Sequence, residues 1–162
     1  MAELNSVVEK TIETICKRSQ KSRANYLERV AMMEADPDSN RVMIGCSNLA
    51  HAAAGATDDQ ADLLEGKKPH IGIITAYNDM LSAHQPYENF PPILRAAIRQ
   101  AGGTAQVAAG VPAMCDGVTQ GRPGMELSLA SRDITAMATA VGLSHGVYDA
   151  ALCLGVCDKI VP

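Results

Sequence analysis

The chain has 162 residues, 47% of them hydrophobic, enough for one domain with a real core. A net charge of −4 and 3% aromatic content without tryptophan exclude a basic nucleic-acid surface and a base-stacking platform. No apolar run reaches the ~18 residues of a membrane helix, and Met1-Ala2-Glu3-Leu4-Asn5 lacks the charged head and apolar core of a signal peptide, so no membrane partner and a cytoplasmic location are expected. Thiols stay reduced there. The five cysteines, Cys16, Cys46, Cys115, Cys153 and Cys157, therefore read as packing residues or metal ligands rather than disulfides.

In chain order, residues 6–34 predict a long amphipathic helix, with Val8, Ile12, Ile15, Ser19, Tyr26, Val30 and Met33 at three-to-four-residue spacing. Cys16 lies beside that stripe and is expected to fill core. Lys17, Arg18, Lys21 and Arg23 are balanced by Glu9, Glu13 and Glu28 and read as a solvated face. Asp36 to Asn40 predicts a turn or loop, and an alanine-rich helix follows around Asn48 to Ala54. Cys46, just before that helix, is either a reactive thiol or a buried one, and the buried reading is preferred. A polar stretch then runs through Gly66, Lys67, Lys68 and Pro69.

From His70 the pattern changes. Ile71 to Ala76 is the β-branched run of a buried parallel strand, opening into a polar loop from Tyr77 through Ser82 and His84 to Pro86. A helix from Pro92 to Gln100 starts on proline and stops at Gly102-Gly103. Thr104 to Ala109 predicts a second strand that empties into the loop Gly110 to Gly124. A helix over 125–141 carries Met125, Leu129, Met137 and Val141 on one side. The last strand, Tyr148 to Val156, delivers Cys157-Asp158-Lys159. Cys153 lies within it and is expected in the core.

Strand, loop and helix repeat in that order, which predicts an α/β fold: a parallel sheet with flanking helices, preceded by a long N-terminal helix. The expected division is a helical region at 1–66 and an α/β region at 67–162. All three strands would release their loops at one carboxyl edge, where open α/β folds place their ligands. That gathers His84, Asp116 and Cys157 near one crevice.

Cys115-Asp116-Gly117 and Cys157-Asp158-Lys159 each pair a soft sulfur donor with a hard carboxylate. Thiolates suit iron–sulfur clusters or zinc, and carboxylates suit magnesium or manganese, so the pattern points to two kinds of metal and Lewis-acid chemistry. Cys157 reads as a site residue. Cys115 is open between a site thiol and a structural one. His84 is a candidate, while His51 and His145 show no partner in the sequence. Gly117, Gly121 and Gly124 match neither the dinucleotide nor the phosphate-loop spacing and read as backbone freedom around a ligand. No Cys-x-x-Cys pair occurs, so a zinc ribbon is not expected.

Three segments carry a resemblance: Asn78-Asp79-Met80-Leu81-Ser82-Ala83-His84-Gln85-Pro86-Tyr87-Glu88, Gly110 to Gly121, and Gly155-Val156-Cys157-Asp158-Lys159-Ile160-Val161-Pro162. They resemble the site loops of the dihydroxy-acid/6-phosphogluconate dehydratase superfamily of iron–sulfur dehydratases, and the resemblance runs from the first helix to the last residue. It implies that Cys157 ligates the cluster and that Asp116 and Asp158 hold a divalent cation, magnesium or manganese. Lys159 matches a lysine that some members carbamylate into a further oxygen ligand; unmodified, it is a cationic partner for substrate. His84 stands where members with a two-iron cluster have cysteine, which favours a 4Fe-4S cluster. Cys115 also departs from the relatives and is a further candidate for cluster binding.

The implied activity is dehydration of 6-phospho-D-gluconate, a phosphorylated sugar acid, to 2-dehydro-3-deoxy-6-phospho-D-gluconate in the Entner–Doudoroff route. A sugar acid or dihydroxy acid is the alternative substrate, and a non-catalytic metal-holding or oligomerisation module is the alternative class. Members are several times longer and commonly dimers. The chain is therefore expected to be the N-terminal part of a larger two-domain dehydratase, silent alone and homodimeric at full length, with further cluster ligands and a serine base outside it.

Overall fold

The computed structural model describes residues 5–35, 41 and 44–162, so the turn expected at Asp36–Asn40 and the side chain of Met33 lie outside the described residues. The chain divides into two compact units, Met1–Ser39 and Asn40–Pro162.

The described residues of the first unit form one helix, α1 (Ser6–Ala35). Asn5 starts it: its side-chain oxygen accepts from the Val7 amide at 2.9 Å, satisfying a donor the first turn would otherwise leave free. Val8, Ile12, Ile15 and Tyr26 form the expected stripe, but each is exposed. Cys16 is exposed as well, against the expectation that it fills core. Among the described residues of that unit, the single helix has no second layer to bury the stripe.

The second unit opens with α2 (Cys46–Ala54) and α3 (Gln60–Glu65). Cys46 is exposed at the first position of α2, not buried. Ala53, Ala56 and Leu63 close a small apolar cluster between the two helices. The sheet follows: β1 (His70–Thr75), α4 (Phe90–Gln100), β2 (Thr104–Gly110), the short α5 (Asp116–Thr119), α6 (Ser128–Leu143) and β3 (Ala150–Leu154). All pairing is parallel in the order β2-β1-β3, with His70 opposite Thr104 and Ile71 opposite Ala150. Ile73 and Ile74 on the central strand are buried, as expected for a strand covered on both sides. Gly142 lets α6 approach β2, since a Cβ there would stand 2.7 Å from that of Ala109. Cys153 corrects a second expectation: it is exposed. Its strand is at the edge among the described residues, and α6 packs on β2 and β1.

At the amino end of the sheet, His70 is wholly buried. Its Nε2 stands 3.0 Å from the Gln106 side-chain oxygen Oε1 and its Nδ1 2.8 Å from the Thr104 hydroxyl, with Tyr148 stacked on the ring at 5.2 Å. Gln106 accepts and threonine donates, so the neutral ring satisfies both partners. Burial lowers the His70 pKa, opposed by the Gln106 bond, with Arg41 lowering it further. The unfolded chain therefore binds the proton more readily than the folded one. Stability is complete above the ordinary imidazole value of about 6.5 and is lost as pH falls below it. Urea titrations between pH 7 and 5 are expected to show a falling midpoint, with a shallower fall in His70→Gln; equal slopes would refute a neutral folded ring.

None of the described helices is long and apolar enough to cross a membrane.

Candidate functional site

Three loops leave the carboxyl ends of the three strands. In the order β2-β1-β3 the chain moves from β1 to one side and then crosses to the other, so the β1 and β3 ends flank a switch point where such sheets open a crevice. The β1 loop turns on Asn78, whose side chain accepts from the Met80 amide at 2.9 Å. Leu81 is buried, and its carbonyl accepts from the amides of His84 and Gln85, each at 2.9 Å. This anchored turn drives His84 inward to 0% exposure, with Nδ1 2.8 Å from the Ala76 carbonyl oxygen and Tyr87 edge-on to the ring at 6.2 Å.

The β3 loop brings Cys157 to the same place, its Sγ 3.5 Å from His84 Nε2. Cys157 holds φ at +81°, a conformation costing a side-chain-bearing residue of order 1–3 kcal/mol, and such strain gathers at functional positions. Gly155 makes the turn possible: a Cβ there would meet the Ile160 methyl at 2.5 Å. Burial pushes the Cys157 thiol pKa up, and the neighbouring Cys115 thiol pushes it further. Cys115 precedes α5 on the β2 loop, so sulfur from two loops and imidazole from a third share one rim.

Beside them lies a charged trio. Lys159 is only 4% exposed, and its ammonium bonds the Asp116 carboxylate as well as both oxygens of Asp158 at 3.0 Å. The Asp116 bond raises the Lys159 pKa most, while the Lys159 bond holds the Asp158 carboxyl below its usual range. All six residues singled out in the sequence, His84, Cys115, Asp116, Cys157, Asp158 and Lys159, thus meet at one edge of the sheet.

Residues 68–162 match the family described as Dihydroxy-acid/6-phosphogluconate dehydratase N-terminal. The chain belongs to that family. It is similar to the phosphogluconate dehydratase of Rhizobium meliloti, 58% identical over 91% of this chain and 24% of that protein. The corresponding Escherichia coli K12 protein is 52% identical over 98% of the chain and 26% of its own length. A dihydroxy-acid dehydratase of Akkermansia muciniphila is 34% identical over 76% of the chain and 22% of its length. The chain thus spans about a quarter of the length of the curated relatives it matches.

The donors fit the metals expected of this family as part of a site. Among the described residues no three His, Cys, Asp or Glu side chains close on a point as a complete cage. They stand instead as a sulfur–imidazole group, suited to iron, and a carboxylate pair already turned toward a positive charge, the lysine ammonium.

Two supporting residues escaped the sequence reading. Ser128 Oγ donates to Asp116 Oδ1 at 3.1 Å, and Arg132 Nη2 donates to the Asp158 carbonyl oxygen at 3.1 Å. They are four apart and so share one face of α6. That Ser-x-x-x-Arg spacing just after the Asp116 loop was the available signal.

Proposed function

We propose that the full-length protein dehydrates 6-phospho-D-gluconate to 2-dehydro-3-deoxy-6-phospho-D-gluconate and water, a hydro-lyase of the Entner–Doudoroff route. The observation that carries the reading is the meeting of the Cys157–His84 group with the Asp116–Lys159–Asp158 trio at the ends of three parallel strands. The resemblance to proteins named phosphogluconate dehydratase, at 49–58% identity, supports the phosphorylated substrate over the dihydroxy acid, whose named relative stands at 34%.

In this reading Cys157 holds a 4Fe-4S cluster, with Cys115 and His84 as further candidate ligands, while Asp116 and Asp158 hold magnesium or manganese. When bound, these groups supply Lewis acidity to the departing C3 hydroxyl and positive charge to the C1 carboxylate and C2 oxygen. Lys159 holds the two carboxylates together and offers a charged donor to the substrate carboxylate; carbamylated, it would become a third oxygen ligand. Ser128 and Arg132 pin the two acidic loops to α6, so the oxygen donors are oriented before substrate arrives. The protein works in the cytoplasm as a homodimer.

The test is turnover by the full-length gene product, purified without oxygen and loaded with iron and sulfide. It is expected to consume 6-phosphogluconate with a higher kcat/KM than gluconate or 2,3-dihydroxyisovalerate. Faster turnover of either unphosphorylated acid, or a preparation holding zinc alone, would overturn the assignment.

A further inference from the structure

We propose that His84 Nε2 is itself a ligand to iron, making the cluster site a mixed nitrogen–sulfur one; this rests on the iron–sulfur reading above. The ring has two nitrogens, and one is already committed. Nδ1 stands 2.8 Å from the Ala76 carbonyl oxygen, which only accepts, so Nδ1 carries a hydrogen. In the neutral ring the lone pair then lies on Nε2, and Nε2 faces Cys157 Sγ at 3.5 Å. A ligating histidine whose other nitrogen donates to a backbone carbonyl, fixing tautomer and ring orientation, is the usual support for a metal-bound imidazole.

The simpler role would be a hydrogen bond from His84 to a thiolate or a cluster sulfur. That needs a hydrogen on Nε2, whereas the ring's one hydrogen in the neutral form is already given to the Ala76 carbonyl by Nδ1. A lone pair on Nε2 instead gives iron a donor of suitable type. The ring is also held in place. Leu81 anchors its loop and Tyr87 packs against it, so the donor is oriented without help from solvent. Replacing a thiolate by a neutral imidazole removes one negative charge from the cluster's surroundings, a change that raises the reduction potential.

Pulsed electron paramagnetic resonance on the anaerobically purified, reduced full-length protein tests this directly. A strongly coupled ¹⁴N signal is expected, changing to the ¹⁵N pattern when the protein is grown with ¹⁵N-histidine. It should vanish in His84→Cys, which offers a thiolate at the same place and still holds an iron–sulfur cluster. The iron–sulfur reduction potential should fall in that variant. A cluster present without strong nitrogen coupling, or a coupling that survives His84→Cys, overturns the histidine ligand and leaves the dehydratase reading standing. A protein without iron and acid-labile sulfide after anaerobic loading overturns both.

Discussion

Replacing Cys157 by serine is expected to remove iron and acid-labile sulfide from the full-length protein and to take its dehydration activity below detection, with the fold intact. The two side chains differ by one atom, and the loss is of a soft ligand rather than of packing, because Cys157 is only half-buried. A second substitution separates site from scaffold more sharply. Cys157 pays for its position with φ +81°, a conformation glycine adopts freely. Cys157→Gly should therefore be equally inactive yet more stable in the metal-free state, by about 1 kcal/mol in urea unfolding. If the glycine variant is less stable than the parent, the left-handed backbone is not strained and the cysteine is held there by packing. If either variant retains its full complement of iron, Cys157 is not a cluster ligand.

The sheet was legible because its strands announce themselves. Ile71 to Ala76 and Thr104 to Ala109 are short apolar runs ending in polar loops, and parallel pairing then puts every loop at one edge. What the runs do not encode is the strand order. The order β2-β1-β3 sets the β1 and β3 ends side by side, and that adjacency is why His84 touches Cys157 across 73 positions of sequence. Helix α3 was read as a polar stretch because a short segment, Gln60-Ala61-Asp62-Leu63-Leu64-Glu65, shows too few apolar repeats to reveal a period; burial of Leu63 against Ala53 and Ala56 fixes it. The cysteines misled for a related reason. A thiol beside an apolar stripe reads as core, yet burial depends on which neighbours cover the stripe. Neither Cys16 on α1 nor Cys153 on the edge strand is covered by the described residues. Ser128 and Arg132 were passed over because their partners lie 12 and 26 positions away, on loops whose return to α6 only the fold reveals.

Asp116→Asn probes the other half of the site. The asparagine oxygen still accepts from Ser128, so the loop keeps its pin, while the Lys159 ammonium loses its nearest negative charge. Leaving a buried charge with one partner removed costs about 3–5 kcal/mol when the pair is fully enclosed. Asp116 is partly exposed and Asp158 remains within 3.0 Å of the ammonium, so the expected loss of stability is smaller, about 1–2 kcal/mol. Activity should drop at least about a hundredfold, because an oxygen donor for the divalent cation is lost while Lys159 stays charged. Iron content should be unchanged, since sulfur and imidazole are untouched. Combining Asp116→Asn with Lys159→Met removes the orphaned charge and should return most of the stability without returning activity. A single variant as stable as the parent would show that the trio is solvated rather than coupled. A double variant that regained turnover would show that neither residue takes part in the chemistry, and the oxygen-donor half of the proposed site would have to be sought elsewhere in the full-length protein.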